Sequence, residues 1–174
     1  MDYIDSNLFK FVKKFVQLKS GNRVKVVWYL EHFKFTEDQI RELAPFFNIE
    51  EWKKVSSFQY EHISEEFIRE YNDKLNWILL SFHYTFSYEF LREFKDKLDW
   101  RPICSHYKIN NDFLREFFNY INWHFVARFQ EFDFDFVKKW ETELRPHIYA
   151  IIENESLTYN KKYVSYLTGT CIKN

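Results

Sequence analysis

A repeat of 23 residues constrains the fold of this chain more than any other feature of its sequence. Four phenylalanines recur at this interval, at Phe67, Phe90, Phe113 and Phe136. Three tryptophans keep the same interval, ten residues after the first three phenylalanines, at Trp77, Trp100 and Trp123. Self-similarity at a fixed period of this kind is typical of stacked repeat proteins. We therefore expect residues 36–153 to form a repeat array.

Each copy carries the signals of two short helices. Residues with a side-chain oxygen stand three positions before the four anchors, where they can cap a helix, at Ser64, Ser87, Asn110 and Asp133, and Thr36 stands correspondingly before Gln39. The apolar residues that follow, such as Phe67, Ile68, Tyr71 and Leu75, form a helical stripe. The pattern predicts a first helix of about 10–12 residues, and the segment after each tryptophan predicts a second of about 6–8 residues.

The two ends differ from the repeats, as the caps of a repeat array do. Residues 1–35 form the expected N-terminal cap, with one helix for which Ser6 or Asn7 is the expected capping residue. Arg23–Leu30 fits either strand or helix, and its place before the array favours a short helix. Residues 154–174 form a C-terminal cap or tail, in which Thr158–Lys173 fits either helix or strand and is a candidate for a small extended cap. We thus expect one all-α domain, 1–174, built as a small solenoid of about five short helix pairs.

Composition excludes several function classes. Aromatic residues make up 22% of the chain, whereas it has only 2 glycines, so a Gly-rich phosphate-binding loop is excluded. A hydrophobic fraction of 46% excludes intrinsic disorder, and the net charge of −1 gives no global nucleic-acid signature. Two cysteines, Cys104 and Cys171, do not make a disulfide framework. With neither a signal peptide nor a transmembrane stretch, we expect a cytoplasmic protein that does not engage membranes.

The repeat resembles a known group of sequences. Phe67–Trp77 and Phe90–Trp100 both follow the pattern F-[IL]-R-E-[FY]-x-D-K-L-[DN]-W. This pattern resembles the tandem repeats of uncharacterised proteins of giant DNA viruses and some bacteriophages, over roughly residues 36–150. The resemblance implies a repeat architecture and a viral or phage source, hence the host cytoplasm, but no activity. The last copy departs from the pattern because Pro146 stands where the tryptophan would fall.

Positions where the copies disagree are the best candidates for a binding surface. Positions that are charged or polar in at least one earlier copy become aromatic in the third, at Phe118, Tyr120, His124 and Phe125. An apolar side chain at an exposed position is either a contact surface or covered by a neighbour, here the C-terminal segment. We expect a non-enzymatic protein that binds a host or viral protein, or a second copy of itself, through these residues.

Binding of single-stranded nucleic acid or a nucleotide is the alternative function. Basic residues concentrate near the N-terminus, at Lys10, Lys13, Lys14, Lys19, Arg23 and Lys25. Together with exposed aromatic side chains, they could bind phosphates and stack bases. The competing interpretation is a solvated helix face above an apolar stripe.

Signals for catalysis or metal binding are weak. Cys104 with His106 is a close pair that could supply a nucleophile and a base, but the preceding copy repeats it as Ser81 with His83, which favours a structural role. His83, His106 and Cys104 could also bind a metal, but they lack the usual ligand spacing. We therefore expect no catalytic residues, no metal and no cofactor.

Overall fold

The described part of the chain is helical. The computed structural model describes residues 2–17, 23–157 and 160–169. Within these ranges the regular elements are helices, together with an isolated parallel bridge between Tyr3 and Lys34. The predicted all-α class is confirmed. In these same ranges no helix combines the length and the hydropathy needed to cross a membrane.

The helices are short and follow one another closely. The α-helices of the described residues are α1 Ser6–Gln17, α2 Arg23–His32, α3 Glu37–Leu43, α4 Ile49–Phe58, α5 Glu65–Glu70, α6 Trp77–His83, α7 Tyr88–Phe94, α8 Trp100–His106, α9 Asn111–Glu116, α10 Trp123–Phe129, α11 Phe134–Lys139, α12 Glu141–Leu144, α13 Ile148–Ile152 and α14 Asn160–Thr168. Short 3₁₀ helices occur at Ala44–Phe46, Tyr60–His62, Phe118–Tyr120 and Arg145–His147.

Each interior copy has two helices, each with its own N-cap. Ser64 begins α5 by accepting a hydrogen bond from the Phe67 amide, and Asn76 begins α6 by accepting one from the Leu79 amide. All five predicted caps of the first helices are confirmed. The first helix is shorter than predicted, since α5 has 6 residues. α5 ends at Glu70 because its C-cap Tyr71 leaves the helical conformation, at φ −110° and ψ 25°, and turns occupy the residues before Asn76.

Sequence reasoning placed the N-terminal cap correctly as helix but named the wrong capping residue. The Asp5 carboxylate accepts from the amides of Asn7 and Leu8, so Asp5, rather than Ser6 or Asn7, begins α1. A carboxylate at this position also favours the positive end of the helix dipole. The Arg23–Leu30 segment is helical, within α2, as its place in the chain predicted.

Of the two conformations left open for Thr158–Lys173, residues 160–168 take the helical one and form α14, so the candidate extended cap is wrong over this range. Tyr163 and Leu167 lie one helical turn apart and both are buried, so packing of one helix face fixes the conformation. The remaining residues of the Thr158–Lys173 segment, apart from Gly169, lie outside the described residues.

The structure separates into two compact units, Met1–Leu98 and Asp99–Asn174. In the first unit the second helices of successive copies pack in chain order, α2 against α4 and α4 against α6. In the second unit α8 packs against α10, α10 against α13, and α13 against α14. The anchor phenylalanines Phe67, Phe90 and Phe113 are buried in the cores of their units.

Arginine side chains connect successive copies in the first unit. Arg69 Nε donates to Glu93 Oε2 at 2.7 Å, and its guanidinium lies 5.0 Å from the ring centroid of Phe90. Arg41 makes the equivalent contacts with Glu70, at 2.9 Å, and with the Phe67 ring, at 5.3 Å. The arginine of one copy therefore covers the anchor phenylalanine of the next.

Buried amide side chains join successive copies in both units. In the first, Gln59 Nε2 donates to the carbonyl oxygens of Leu30 and Phe33, at 2.7 and 2.8 Å, and its Oε1 accepts from the Phe35 amide at 2.9 Å. Leu30 lies in the last turn of α2 and Phe33 directly follows the helix, so their carbonyl oxygens have no partner inside the helix.

The second unit repeats this arrangement twice. Gln130 Nε2 donates to the carbonyl oxygens of Cys104 and Ser105, at the end of α8. Asn154 Nδ2 donates to those of Ala127 and Gln130, at the end of α10. The end of a helix in one copy is thus satisfied by the next copy.

Candidate functional site

The predicted binding residues lie on α10 and on the 3₁₀ helix before it. Phe118 begins this 3₁₀ helix and its side chain is 42% exposed. Tyr120 ends it and is half-buried, with its ring 5.3 Å from the ring of Trp100. Tyr120 therefore contributes to the core of the second unit, whereas Phe118 faces solvent.

His124 and Phe125 lie in the first turn of α10. Asn122 begins this helix by accepting a hydrogen bond from the Phe125 amide. Val126 and Ala127 are fully buried and fix which face of α10 points inward. His124 is consequently exposed and Phe125 half-buried on the outer side.

Phe129 belongs to the same surface, although the sequence analysis did not propose it as a binding residue. It follows Phe125 by one helical turn, its side chain is 49% exposed, and the two ring centroids are 5.7 Å apart. The equivalent positions hold Phe58, His83 and His106, which are also exposed. We call Phe118, His124, Phe125 and Phe129 the aromatic surface.

Two tryptophans pack against the ring of Phe118. The Phe118 ring lies 6.1 Å from Trp123 and 6.3 Å from Trp140, and the two tryptophans are 5.3 Å apart. Trp140 takes the position that Phe117 has in the preceding copy, four residues after the anchor, and it is buried. Its Nε1 donates to Asn111 Oδ1 at 2.9 Å, which fixes the ring.

The C-terminal helix packs on a different part of the unit. α14 contacts α13, and Tyr163 of α14 lies 5.9 Å from the ring of Phe132 and 6.0 Å from that of Phe134. The alternative in which the C-terminal segment covers the predicted surface does not describe Phe118 or His124, which remain exposed with α14 in place.

The first unit has an exposed apolar pair that the sequence analysis did not propose as a site. Ile78 and Phe82 lie one turn apart on α6, and each is 56% exposed. The corresponding positions of α4 hold Lys53 and Ser57, so this divergence was a usable signal.

The basic residues of the alternative function are only partly available. Lys10 and Lys14 are exposed on α1, whereas Lys13 Nζ forms an ion pair with Glu42 at 2.7 Å. Lys19 lies outside the described residues, and for Arg23 and Lys25 only the helical backbone of α2 is described.

The close pair Cys104 and His106 lacks the chemistry of a nucleophile and its base. Cys104 is fully buried and its Sγ accepts from the Asn122 amide at 3.3 Å. Burial raises the pKa of the Cys104 thiol to about 11, so it is protonated at neutral pH. His106 Nδ1 lies 3.0 Å from the Pro102 carbonyl oxygen, and in the first unit His83 stacks on Tyr60 with ring centroids 5.0 Å apart.

A cleft of about 600 Å³ opens in the second unit between the start of α9, α11 and the segment before α14. Its acidic residues include Asp133, which caps α11, and Asp135, which forms an ion pair with Lys138 at 2.5 Å. Neighbouring groups hold the pKa of the Asp135 carboxyl below its usual value, the hydrogen bond from Lys138 most of all. These carboxylates thus have structural roles.

Metal-binding groups of three or more His, Cys, Asp or Glu side chains do not occur in the described part of the chain. Comparison of the chain with protein-family models, with curated proteins and with solved structures finds no match.

Proposed function

We propose that this chain is a non-enzymatic helical-repeat protein that binds another protein through the aromatic surface. The observation that carries the proposal is the exposure of Phe118. Its side chain is 42% exposed at a position that earlier copies fill with Asn72 and Lys95. Aromatic side chains at protein interfaces contribute large contact area at low entropic cost.

The repeat units are proposed to stack as a small solenoid. The packing of second helices in chain order within each unit supports this arrangement, and so do the Arg69–Glu93 and Arg41–Glu70 ion pairs between copies. A stack of this kind presents one helix from each copy along a continuous face, which suits the binding of an extended partner.

The resemblance to viral and phage repeats suggests a host or viral protein as the partner. The test is affinity purification of the tagged full-length chain from cells of its source. A Phe118→Lys/Phe129→Lys variant should lose a co-purifying protein while its far-UV circular dichroism and thermal midpoint stay near those of the wild type. Tyr149→Lys is the matched control, because Tyr149 is an aromatic residue of the same unit with 82% exposure. Equal recovery of the same proteins by the wild type and the Phe118→Lys/Phe129→Lys variant would refute the proposal.

Binding of single-stranded nucleic acid is the second candidate function. It is favoured by the exposure of Lys10 and Lys14, which lie one turn apart on α1 beside Phe11, since Phe11 is 48% exposed. Affinity for a single-stranded oligonucleotide should then fall steeply as salt is raised. A Lys10→Glu/Lys14→Glu variant should lose this binding, whereas Lys108→Glu, which changes an exposed lysine of the other unit, should keep it. Absence of binding by the wild type at low salt would eliminate this function.

A further inference from the structure

Two histidines of the second unit face each other across consecutive copies. His124 stands one residue after Trp123, and His147 one residue after Pro146, which holds the next tryptophan position. They are therefore 23 residues apart and occupy equivalent places, one at the start of α10 and one at the end of the 3₁₀ helix Arg145–His147. Their ring centroids are 5.9 Å apart and their planes meet at 75°.

Their ring nitrogens are available as ligands. In the described part of the chain no hydrogen bond engages the rings of His124 or His147, whereas Nδ1 of His32 and of His106 lies within 3.0 Å of a backbone carbonyl oxygen. His124 is exposed and His147 half-buried, so the space between them opens to solvent.

The separation of the rings fits a shared cation. An imidazole nitrogen binds Zn²⁺ at about 2.1 Å, which places the ring centroid about 3.2 Å from the ion. Two rings on one ion then have centroids about 5.2 Å apart at a tetrahedral angle and about 6.4 Å apart when opposed. The observed 5.9 Å lies inside this range.

We propose that His124 and His147 together bind one first-row divalent transition-metal ion such as Zn²⁺, Ni²⁺ or Cu²⁺. Imidazole nitrogen selects these ions over Mg²⁺ and Ca²⁺, which prefer oxygen ligands. Water fills the remaining positions, and the bound ion joins the start of α10 to the turn that precedes α13.

Calorimetric titration of the full chain with ZnCl₂ tests the proposal, together with quenching of tryptophan fluorescence by NiCl₂. Quenching reports on this site because Trp123 adjoins His124 and lies 5.3 Å from Trp140. The wild type should bind one equivalent, and His124→Gln and His147→Gln should each weaken binding about tenfold or more. The double variant should bind the ion about as weakly as either single variant, because both ligands act on one ion. His106→Gln is the matched control and should bind like the wild type.

Histidine ¹H–¹⁵N spectra of the wild type with and without ZnCl₂ give a test that needs no variant. The ring signals of His124 and His147 should shift together with one equivalent, before those of the other histidines. Wild-type affinity equal to that of His124→Gln, equal weakening by His106→Gln, or ring shifts confined to other histidines would each overturn the proposal.

Discussion

The buried amide of Gln59 provides the sharpest test of how the copies are held together. Its side chain is fully buried and joins three backbone groups of the preceding helical segment, the carbonyl oxygens of Leu30 and Phe33 and the amide of Phe35. Gln59→Leu replaces the amide with an apolar side chain of similar size and removes all three hydrogen bonds. We expect the variant to fold with a lower free energy of unfolding.

The size of the loss follows from the burial of the groups left behind. The bonds to the Leu30 carbonyl and the Phe35 amide lie in buried surroundings, whereas that to the Phe33 carbonyl is part-buried and within reach of water. A buried polar group without a partner costs about 1–3 kcal/mol. Two such groups, less about 1 kcal/mol gained by the apolar side chain, give an expected loss of about 3 kcal/mol.

Urea unfolding followed by circular dichroism measures the loss, and hydrogen exchange of the Phe35 amide locates it. Gln130→Leu is the comparison, because Gln130 is half-buried and its Oε1 accepts from Ile109 N at a long 3.5 Å. The Gln130 variant should lose less stability than the Gln59 variant and leave exchange at Phe35 unchanged. A Gln59→Leu variant within about 1 kcal/mol of the wild type, with Phe35 still protected, would refute the reasoning.

Three further predictions concern individual side chains. Cys104→Ser should keep a free energy of unfolding within about 1 kcal/mol of the wild type, because a serine hydroxyl can accept from the Asn122 amide as Ser56 does from the Asn76 amide. In a Cys171→Ser background, Cys104 should react with a thiol reagent only after urea unfolding. Rapid labelling of the native protein would contradict the burial of Cys104. Burial, with the charge of Lys34 adding to it, lowers the pKa of His62, so the stability contributed by the neutral ring should be lost as pH falls from about 6.5 through the lower pKa of the folded state. The thermal midpoint of His62→Gln should therefore depend less on pH over this window than that of the wild type. Equal pH dependence of the two thermal midpoints would contradict the prediction. Arg69→Lys should lower the free energy of unfolding by about 1 kcal/mol in urea, because lysine keeps the charge but loses the guanidinium contact with Phe90. Unchanged stability would show that this contact does not stabilise the fold.

The features shared by all copies could be predicted from the sequence. The capping side chains Ser64 and Asn110 occur at fixed offsets from the anchors, and each begins the predicted helix. Capping depends on contacts within three residues, so local sequence determines it. Burial of Phe67 and Phe90 follows equally from their recurrence, because a two-helix unit cannot bury its own apolar face.

Contacts between copies were less accessible to sequence reasoning. Gln59 and Gln130 stand where the intervening copies have Tyr84 and Tyr107, so the position does not look conserved in type from one copy to the next. The partners of Gln59 lie 24–29 residues upstream, beyond the range of any local pattern. Asn154 was even harder to interpret, because it lies after the last clear copy and its buried amide repeats the role of Gln130.

Helix geometry shows that Phe118 and Tyr120, two of the predicted binding residues, cannot share one surface. Phe118 and Tyr120 were grouped because both replace polar residues of earlier copies. Residues two apart on a helix do not share a face, whether the helix is α or 3₁₀. If one of them faces solvent, the other must turn toward the core, as Tyr120 does against Trp100. Residues one turn apart, such as Phe125 and Phe129, do share a face. A search for binding positions in this repeat should therefore compare divergent residues three or four apart, and that rule also identifies Ile78 with Phe82.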